Sequence, residues 1–329
     1  MRVRRAHHGV AVIAAVIACQ CVVGVARADC PPGRINQVSI SSATPAPNIP
    51  AYDPFAAGDS MATVAITITS TASQTCTAAI SFARTPTNAQ MSAGASTLNY
   101  VIEPAGGGNS LITTGYVAGS SPSASNRLGV SVPANGSATA NIRVRIPAGQ
   151  VVGAGTYQDN LVQLLLIGLD NTNQPQSSKT GPLFAPQATV IAKCTMPPPS
   201  SSSLNFSSAI SNGQPNEAMK QTVSFSNVQC TAPTKLRLTG AALQPTPAIG
   251  PRSGFDNFIN FRAQGSFGSA TSTLTTTQTS QSVDSSQKNV ASGATTSGQI
   301  NVDINLVNGQ PIIAGSYSGT LTVSIDPSF

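Results

Sequence analysis

Two short fragments of the chain combine residue types that could form a catalytic serine site. Ser285-Ser286-Gln287-Lys288 places a serine three residues before a lysine, and Lys179-Thr180-Gly181 is a Lys-Thr-Gly triplet. Serine enzymes that combine these motifs carry the nucleophilic serine at the start of a helix, with the triplet later in the chain. Here the order is reversed, and no helical periodicity surrounds the serine. We therefore interpret both fragments as chance matches in a chain rich in serine and threonine.

The other titratable residues give no better case for catalysis. Both histidines, His7 and His8, lie within the first 28 residues, and without them neither a Ser–His–Asp nor a Cys–His arrangement can form. A zinc site lacks histidine ligands for the same reason, and no C-x-x-C spacing exists. Glu103 and Glu217, the two glutamates, lie far apart in the chain. We predict no enzymatic activity, no metal and no cofactor.

The net charge also excludes one class of partner. The 329 residues carry a formal charge of +6, with 9% charged and 5% aromatic residues and no Trp. Four of the 17 basic residues lie within residues 1–28, which leaves 13 basic against 11 acidic residues in the rest of the chain. A nucleic-acid surface needs a basic patch that neutralises phosphates. A nearly neutral chain gives no indication of one.

Residues 1–28 have the pattern of an export signal. Three arginines near the start precede an apolar stretch over residues 10–26, and Ala26-Arg27-Ala28 offers a cleavage site. An apolar stretch of about 17 residues is marginal for a transmembrane anchor. An alternative is lipoprotein processing at Cys19, which would leave the protein lipid-anchored. Both alternatives predict export through the periplasm to the cell surface.

The chain contains an internal repeat with an offset of 160 residues. The sequence of residues 149–157, GQVVGAGTY, returns as GQPIIAGSY at residues 309–317. Alternating apolar residues precede both copies in the same phase, and a Cys-Thr-Ala triplet at Cys76 recurs at Cys230. The chain is therefore expected to consist of two homologous halves. We assign them to residues 29–182 and 194–329, with a connecting segment at 183–193.

The four cysteines beyond the export signal predict two disulfides. Four cysteines permit three connectivities, and the repeat selects one of them. The predicted pairs are Cys30 with Cys76 and Cys194 with Cys230.

Both halves have the sequence pattern of β structure. Apolar and polar residues alternate over residues 61–70, 142–146, 222–228, 302–306 and 317–325, the period expected of half-buried strands. Clusters of Gly, Pro, Asn and Ser separate these runs. We predict an all-β protein with one β-sandwich per half.

The last predicted strand leaves part of the second sandwich uncovered. Its apolar face consists of Tyr317, Leu321, Val323 and Ile325, and a sandwich built in this order normally has another strand beside it. An open edge of this kind can accept a strand from another chain. In the first half the equivalent strand is followed by the apolar segment 183–192. That segment either completes the first sandwich or connects the two halves.

Several short motifs resemble one family. Asp53-Pro54-Phe55, Cys76, Ile259-Asn260-Phe261 with the following Gly265-Ser266-Phe267-Gly268, and the two Ala-Gly-[Thr/Ser]-Tyr strands resemble the spore coat protein U domain. This is the pilin domain of archaic, Csu-type chaperone–usher pili. The resemblance implies two incomplete immunoglobulin-like sandwiches. It also implies three partners: a periplasmic chaperone that lends the missing strand, an outer-membrane usher, and a neighbouring pilin subunit.

The resemblance further implies a position in the fibre. Two-domain members resemble the adhesive tip subunit, whose first domain binds a host or abiotic surface and supports biofilm formation. Cleavage before Asp29 leaves one residue ahead of Cys30, too short for a donor strand of about ten residues, and this is the pattern expected of a tip. Apolar residues in turn-like context nominate the adhesive loops, namely Leu111, Ile112, Tyr116 and Val117. A binding module that does not polymerise is the alternative.

Overall fold

The computed structural model describes residues 30–43, 48–277, 283–291 and 295–327. The predicted export signal and the alternative lipid attachment at Cys19 lie outside these residues. Within these ranges, no helix has both the length and the apolar character needed to cross a membrane.

The first half contains a four-residue helix, α1 (Pro32–Ile35), a 3-10 turn at Ala124–Asn126 and fourteen strands. The strands are β1 (Val38–Ala43), β2 (Asn48–Tyr52), β3 (Ser60–Ser70), β4 (Cys76–Arg84), β5 (Gln90–Ala93), β6 (Ser96–Asn99), β7 (Val101–Pro104), β8 (Ile112–Thr114), β9 (Leu128–Val132), β10 (Ser137–Ile146), β11 (Gly155–Gln158), β12 (Val162–Leu169), β13 (Pro175–Leu183) and β14 (Gln187–Val190).

The second half contains a 3-10 turn at Ser207–Ala209 and twelve described strands. These are β15 (Cys194–Thr195), β16 (Ile210–Ser211), β17 (Gln214–Pro215), β18 (Lys220–Cys230), β19 (Thr234–Gly240), β20 (Gln244–Thr246), β21 (Phe261–Phe267), β22 (Ala270–Thr275), β23 (Val283–Ala291), β24 (Thr295–Leu306), β25 (Ser316–Ser318) and β26 (Leu321–Pro327).

The first half is a sandwich of opposed sheets around one apolar core. One layer has the strand order β1-β3-β10-β7. The other layer is formed by β13-β12-β4-β8, with β9 also on β4, and by β2-β14-β11-β5-β6. Inward residues alternate along β3 and β10, so that Val64 and Ile66 lie opposite Ile142 and Ala140. This alternation confirms the prediction of half-buried strands.

The second half repeats this plan with fewer strands. The order β15-β18-β24-β21-β22 forms one layer, and β23-β19-β26 faces it. Val223 and Phe225 of β18 pair with Val302 and Ile300 of β24, and all four point into a second core. The chain is therefore all-β, as predicted.

A disulfide joins the start of each half to its second long strand segment. Cys30 is bonded to Cys76 across 46 residues, and Cys194 is bonded to Cys230 across 36. The chain-entropy model gives about 3–4 kcal/mol of stabilisation for closing loops of this size. Each half thus has its own core and its own covalent closure.

Candidate functional site: an open groove in the second half

The first half is closed by a strand from segment 183–193. β14 lies between β11, to which it is antiparallel, and β2, to which it is parallel. The buried positions of the segment alternate, at Phe184, Pro186, Ala188 and Val190. The Phe184 ring lies 4.8 Å from the Phe82 ring, measured between centroids, inside the core. The segment therefore fills the gap between two edges of the first sandwich.

The corresponding strands of the second half have no such neighbour among the described residues. β26 pairs along one edge with β19, in a register that sets Val323 opposite Leu238. Its other edge carries no described strand. On the far side of the gap, residues 199–207 run beside β18, where the Ser200 amide donates to the Ser224 carbonyl at 2.7 Å.

An apolar groove of about 810 Å³ occupies this gap. β18 and β24 supply its floor, β25 and β26 form one wall, and the Ser-rich stretch 201–203 lies along the opposite rim. The apolar lining consists of Leu204, Phe206, Ile210, Val223, Phe225, Leu243, Ile259, Phe261, Val302, Ile304, Leu306, Tyr317, Leu321 and Val323. In the equivalent place of the first half, the inward side chains of residues 184–190 fill the core.

Three of the four residues predicted for the open edge lie in this groove. Tyr317, Leu321 and Val323 line it, and each is half-buried. Ile325 lies farther along β26, where it packs against the second core outside the groove. Sequence reasoning missed the opposite rim, because the tract at 197–203 has only the composition of a solvated turn.

A pair of equivalent tyrosines shows what the missing strand would cover. The Tyr157 hydroxyl donates to the Gly153 carbonyl at 2.8 Å, and the Tyr317 hydroxyl donates to the Ile313 carbonyl at 2.7 Å. Burial raises the pKa of both phenols. Tyr157 lies directly opposite Ala188 and is 1% exposed, whereas Tyr317 is half-buried in the groove wall.

Two of the four predicted adhesive residues prove to be core residues. Leu111 is 1% exposed and Ile112 is 5% exposed, because the backbone there forms a strand that runs parallel to β4. The Leu111 amide donates to the Ile102 carbonyl at 2.7 Å, and the Leu111 carbonyl accepts from the Phe82 amide at 2.9 Å. The prediction of surface exposure is therefore wrong for both. Tyr116 is half-buried, and Val117 is exposed.

Exposed apolar residues of the first half gather near Val117. β4 pairs with β12 through Arg84 and Val162, and with β8 through Arg84 and Thr114. At that level of the sheet, Leu161 is 57% exposed, Leu183 is 58% exposed and Val117 is 69% exposed. We call these three residues the apolar strip. Leu161 and Leu183 escaped prediction because each lies within or beside an apolar run typical of a buried strand.

The charged residues of the first half serve structure. The Arg84 Nε donates to the Asp159 carboxylate at 2.5 Å, and the Tyr100 hydroxyl donates to the same oxygen at 2.8 Å. Burial and the neighbouring Asp159 charge raise the pKa of Tyr100. Burial opposes ionisation of Glu103, but hydrogen bonds from Arg145 and Arg143 hold the pKa of its carboxyl below the usual range. These carboxylates are engaged by structural partners.

Comparison with solved structures gives a consistent set of neighbours. They are pilus subunits. The chaperone–tip adhesion subunit pre-assembly complex CsuC–CsuE of Acinetobacter baumannii aligns with 14% identity and a TM-score of 0.41, covering 88% of this chain and 99% of that chain. The CooA pilin subunit of enterotoxigenic Escherichia coli gives 16% and 0.30, over 47% and 99%. The adhesive subunit CfaE of the same organism gives 9% and 0.33, over 88% and 94%. No family model and no curated protein matches the sequence.

Proposed function

We propose that the protein is an exported pilus subunit whose second half accepts a β-strand from another polypeptide. The observation that carries this proposal is the groove beside β26. In the first half the equivalent gap holds β14, whereas in the second half it is open and lined with apolar side chains. The two halves are related by sequence, so the first shows what a filled groove looks like.

A β-strand is the ligand that satisfies both needs of this groove. The free edge of β26 offers backbone N–H and C=O groups, and an added strand pairs with them. Alternate side chains of that strand point inward, about 7 Å apart along the chain, and can cover the apolar floor. A compact ligand would cover the floor and leave the edge unpaired.

The partners and the route come from the resemblance of the sequence to spore coat protein U domains. We assign strand donation first to a periplasmic chaperone, then to a neighbouring pilin subunit at an outer-membrane usher. This sequence of donors protects the apolar floor from water until the fibre is assembled. An open groove without a donor is an aggregation hazard, because contiguous apolar surface of this kind associates with other chains.

Strand uptake can be tested with one peptide and two variants. The full chain is refolded, with its disulfides intact, in the presence of a fluorescein-labelled 12-residue peptide of alternating Val and Thr. We expect binding, seen as a rise in fluorescence anisotropy. Val323→Asp should weaken it by about tenfold or more, because a carboxylate in the apolar groove loses its hydration.

Thr322→Asp is the matched control, since Thr322 lies on the exposed face of the same strand. It should bind the peptide like the unmodified chain. Equal weakening by both variants would place the peptide elsewhere. A chain that refolds to a stable monomer and ignores the peptide would instead point to a self-contained binding module.

We also propose that the first half is the surface-binding part of an adhesive tip that supports biofilm formation. Its own strand closes it, so its surface is free to contact other matter. The apolar strip supplies three exposed side chains at one level of the sheet, and clustered exposed apolar residues mark interaction sites. Tyr116, beside Val117, adds a half-buried aromatic ring.

Attachment to a hydrophobic surface tests this second proposal. The double variant Val117→Asp with Leu161→Asp should reduce the amount of protein bound to polystyrene by about tenfold, the effect expected when central apolar contacts are lost. Met61→Asp is the control, because Met61 is 44% exposed on the opposite layer. Binding of the Val/Thr peptide should stay unchanged in all three chains. Unchanged attachment of the double variant would remove the apolar strip from the proposal.

A further inference from the structure

We infer that the groove selects its strand by a defined pattern: a large apolar residue, a small residue four positions later, and a β-branched residue two positions after that. This inference rests on the proposed function and specifies the chemistry of the partner segment. The pattern comes from β14 and its preceding residues, which fill the equivalent gap of the first half. The small residue would lie opposite Tyr317.

The repeat aligns the two strand edges residue by residue. Tyr157 and Tyr317 occupy the same place in GAGTY and IAGSY, and each hydroxyl donates to the carbonyl four residues earlier. In the first half, Gly155 pairs with Val190 and Tyr157 pairs with Ala188. Gly315 and Tyr317 are the matching positions of the second half. An incoming strand antiparallel to β25 would therefore set its β-branched residue opposite Gly315.

The large residue follows from the next inward positions. The inward side chains of the first half continue through Asp159 to Val162, where the Phe184 amide donates to the Val162 carbonyl at 2.9 Å. In the second half they continue through Gly319 to Leu321. The first half has one more residue in this interval, taken up between Asp159 and Val162. The second half can therefore pair with a regular strand, with the large residue opposite Leu321.

Tyr317 sets the strictest requirement. Side chains directly opposite each other on antiparallel strands have Cβ atoms about 4.5–5.5 Å apart. Ala188 and Tyr157 meet this way in the first half, and both are fully buried with the Tyr157 hydroxyl still bonded to Gly153. The Tyr317 ring is tethered in the same manner, to Ile313. A leucine opposite it would compete with the ring for the same space.

Peptides taken from the chain itself test the pattern. Residues 182–192 are synthesised with a fluorescein label, unmodified and as Ala188→Leu, and each is refolded with the full chain. We expect the unmodified peptide to bind at least about tenfold more tightly, because overpacking of this size costs the equivalent of that factor. In the Tyr317→Ala chain the Ala188→Leu peptide should bind as well as the unmodified one. Val323→Asp serves as the chain with a spoiled groove and should bind neither.

The outcomes separate this inference from the proposed function. If the Val/Thr peptide binds and the two 182–192 peptides bind equally or not at all, the groove accepts strands but the pattern is wrong. If the difference between the two peptides persists in the Tyr317→Ala chain, the small residue does not face Tyr317. If no peptide binds, including the Val/Thr peptide, the proposed function itself fails.

Discussion

Replacing Phe184 with alanine is expected to lower the free energy of unfolding of the first half by about 3–5 kcal/mol, the usual cost of removing a buried aromatic ring. Phe184 is 2% exposed and its ring contacts that of Phe82. The residue belongs to the segment that closes the first sandwich. Its loss should therefore destabilise the whole half, although the substitution lies outside the strands that form the repeat.

The tyrosines provide a reporter for this half. Four of the five tyrosines in the chain precede residue 183, and the chain has no tryptophan, so tyrosine fluorescence during denaturant unfolding follows mainly the first half. Leu183→Ala is the matched control, because Leu183 is the adjacent residue and is 58% exposed. It should have a small effect. Equal effects of the two substitutions would mean that segment 183–193 is only a connection between the halves.

This segment explains why two related halves differ in function. Both have an alternating core, a disulfide and a tethered tyrosine, and both leave a gap between corresponding edges. In the first half the chain itself returns to fill that gap with β14. In the second half the described residues leave it as a groove. One strand thus separates a closed module from a site that can receive a partner.

The sequence predicts the β architecture because its evidence is local. Alternation over residues 61–70 and 302–306 records which side of a strand faces the core, and this pattern needs no knowledge of the partner strand. The apolar face of Tyr317, Leu321 and Val323 was visible for the same reason. The repeat then allowed a comparison of the two halves that a single sandwich would not permit.

Other features depend on contacts between distant residues and could not be predicted. Leu111 follows a Gly-rich stretch and looks like a loop residue, but parallel pairing with β4, about 30 positions earlier, buries it. Segment 183–193 has a composition that suits either a strand or a linker. Its partners at Tyr157 and Tyr52 decide between them. Each case is settled by pairing at long range, which residue types alone do not specify.

Substituting Asp159 with alanine is expected to cost about 3–5 kcal/mol, because it leaves the buried Arg84 charge without its partner. The Arg84 side chain is 7% exposed and that of Asp159 is 1% exposed. Asp159 also accepts a hydrogen bond from Tyr100, and its amide donates to the Pro186 carbonyl of the closing segment at 3.1 Å. The network therefore fixes the point where β11 passes into β12 and meets the strand that closes the sandwich.

A double substitution distinguishes an uncompensated charge from a simple loss of packing. If the cost of Asp159→Ala arises from the unpaired guanidinium, adding Arg84→Met should restore part of the lost stability, and the two effects will not add. Tyrosine fluorescence during unfolding measures all three chains. Asp59→Ala is the control, because Arg145 keeps its hydrogen bond to Glu103 when Asp59 is removed. Position 319, the repeat equivalent of Asp159, is glycine, so the second half lacks this ion pair at its open edge. Additive losses in the double variant would show that the pair acts through packing alone, and the closing strand would then depend on Phe184 and its inward neighbours rather than on the buried charge.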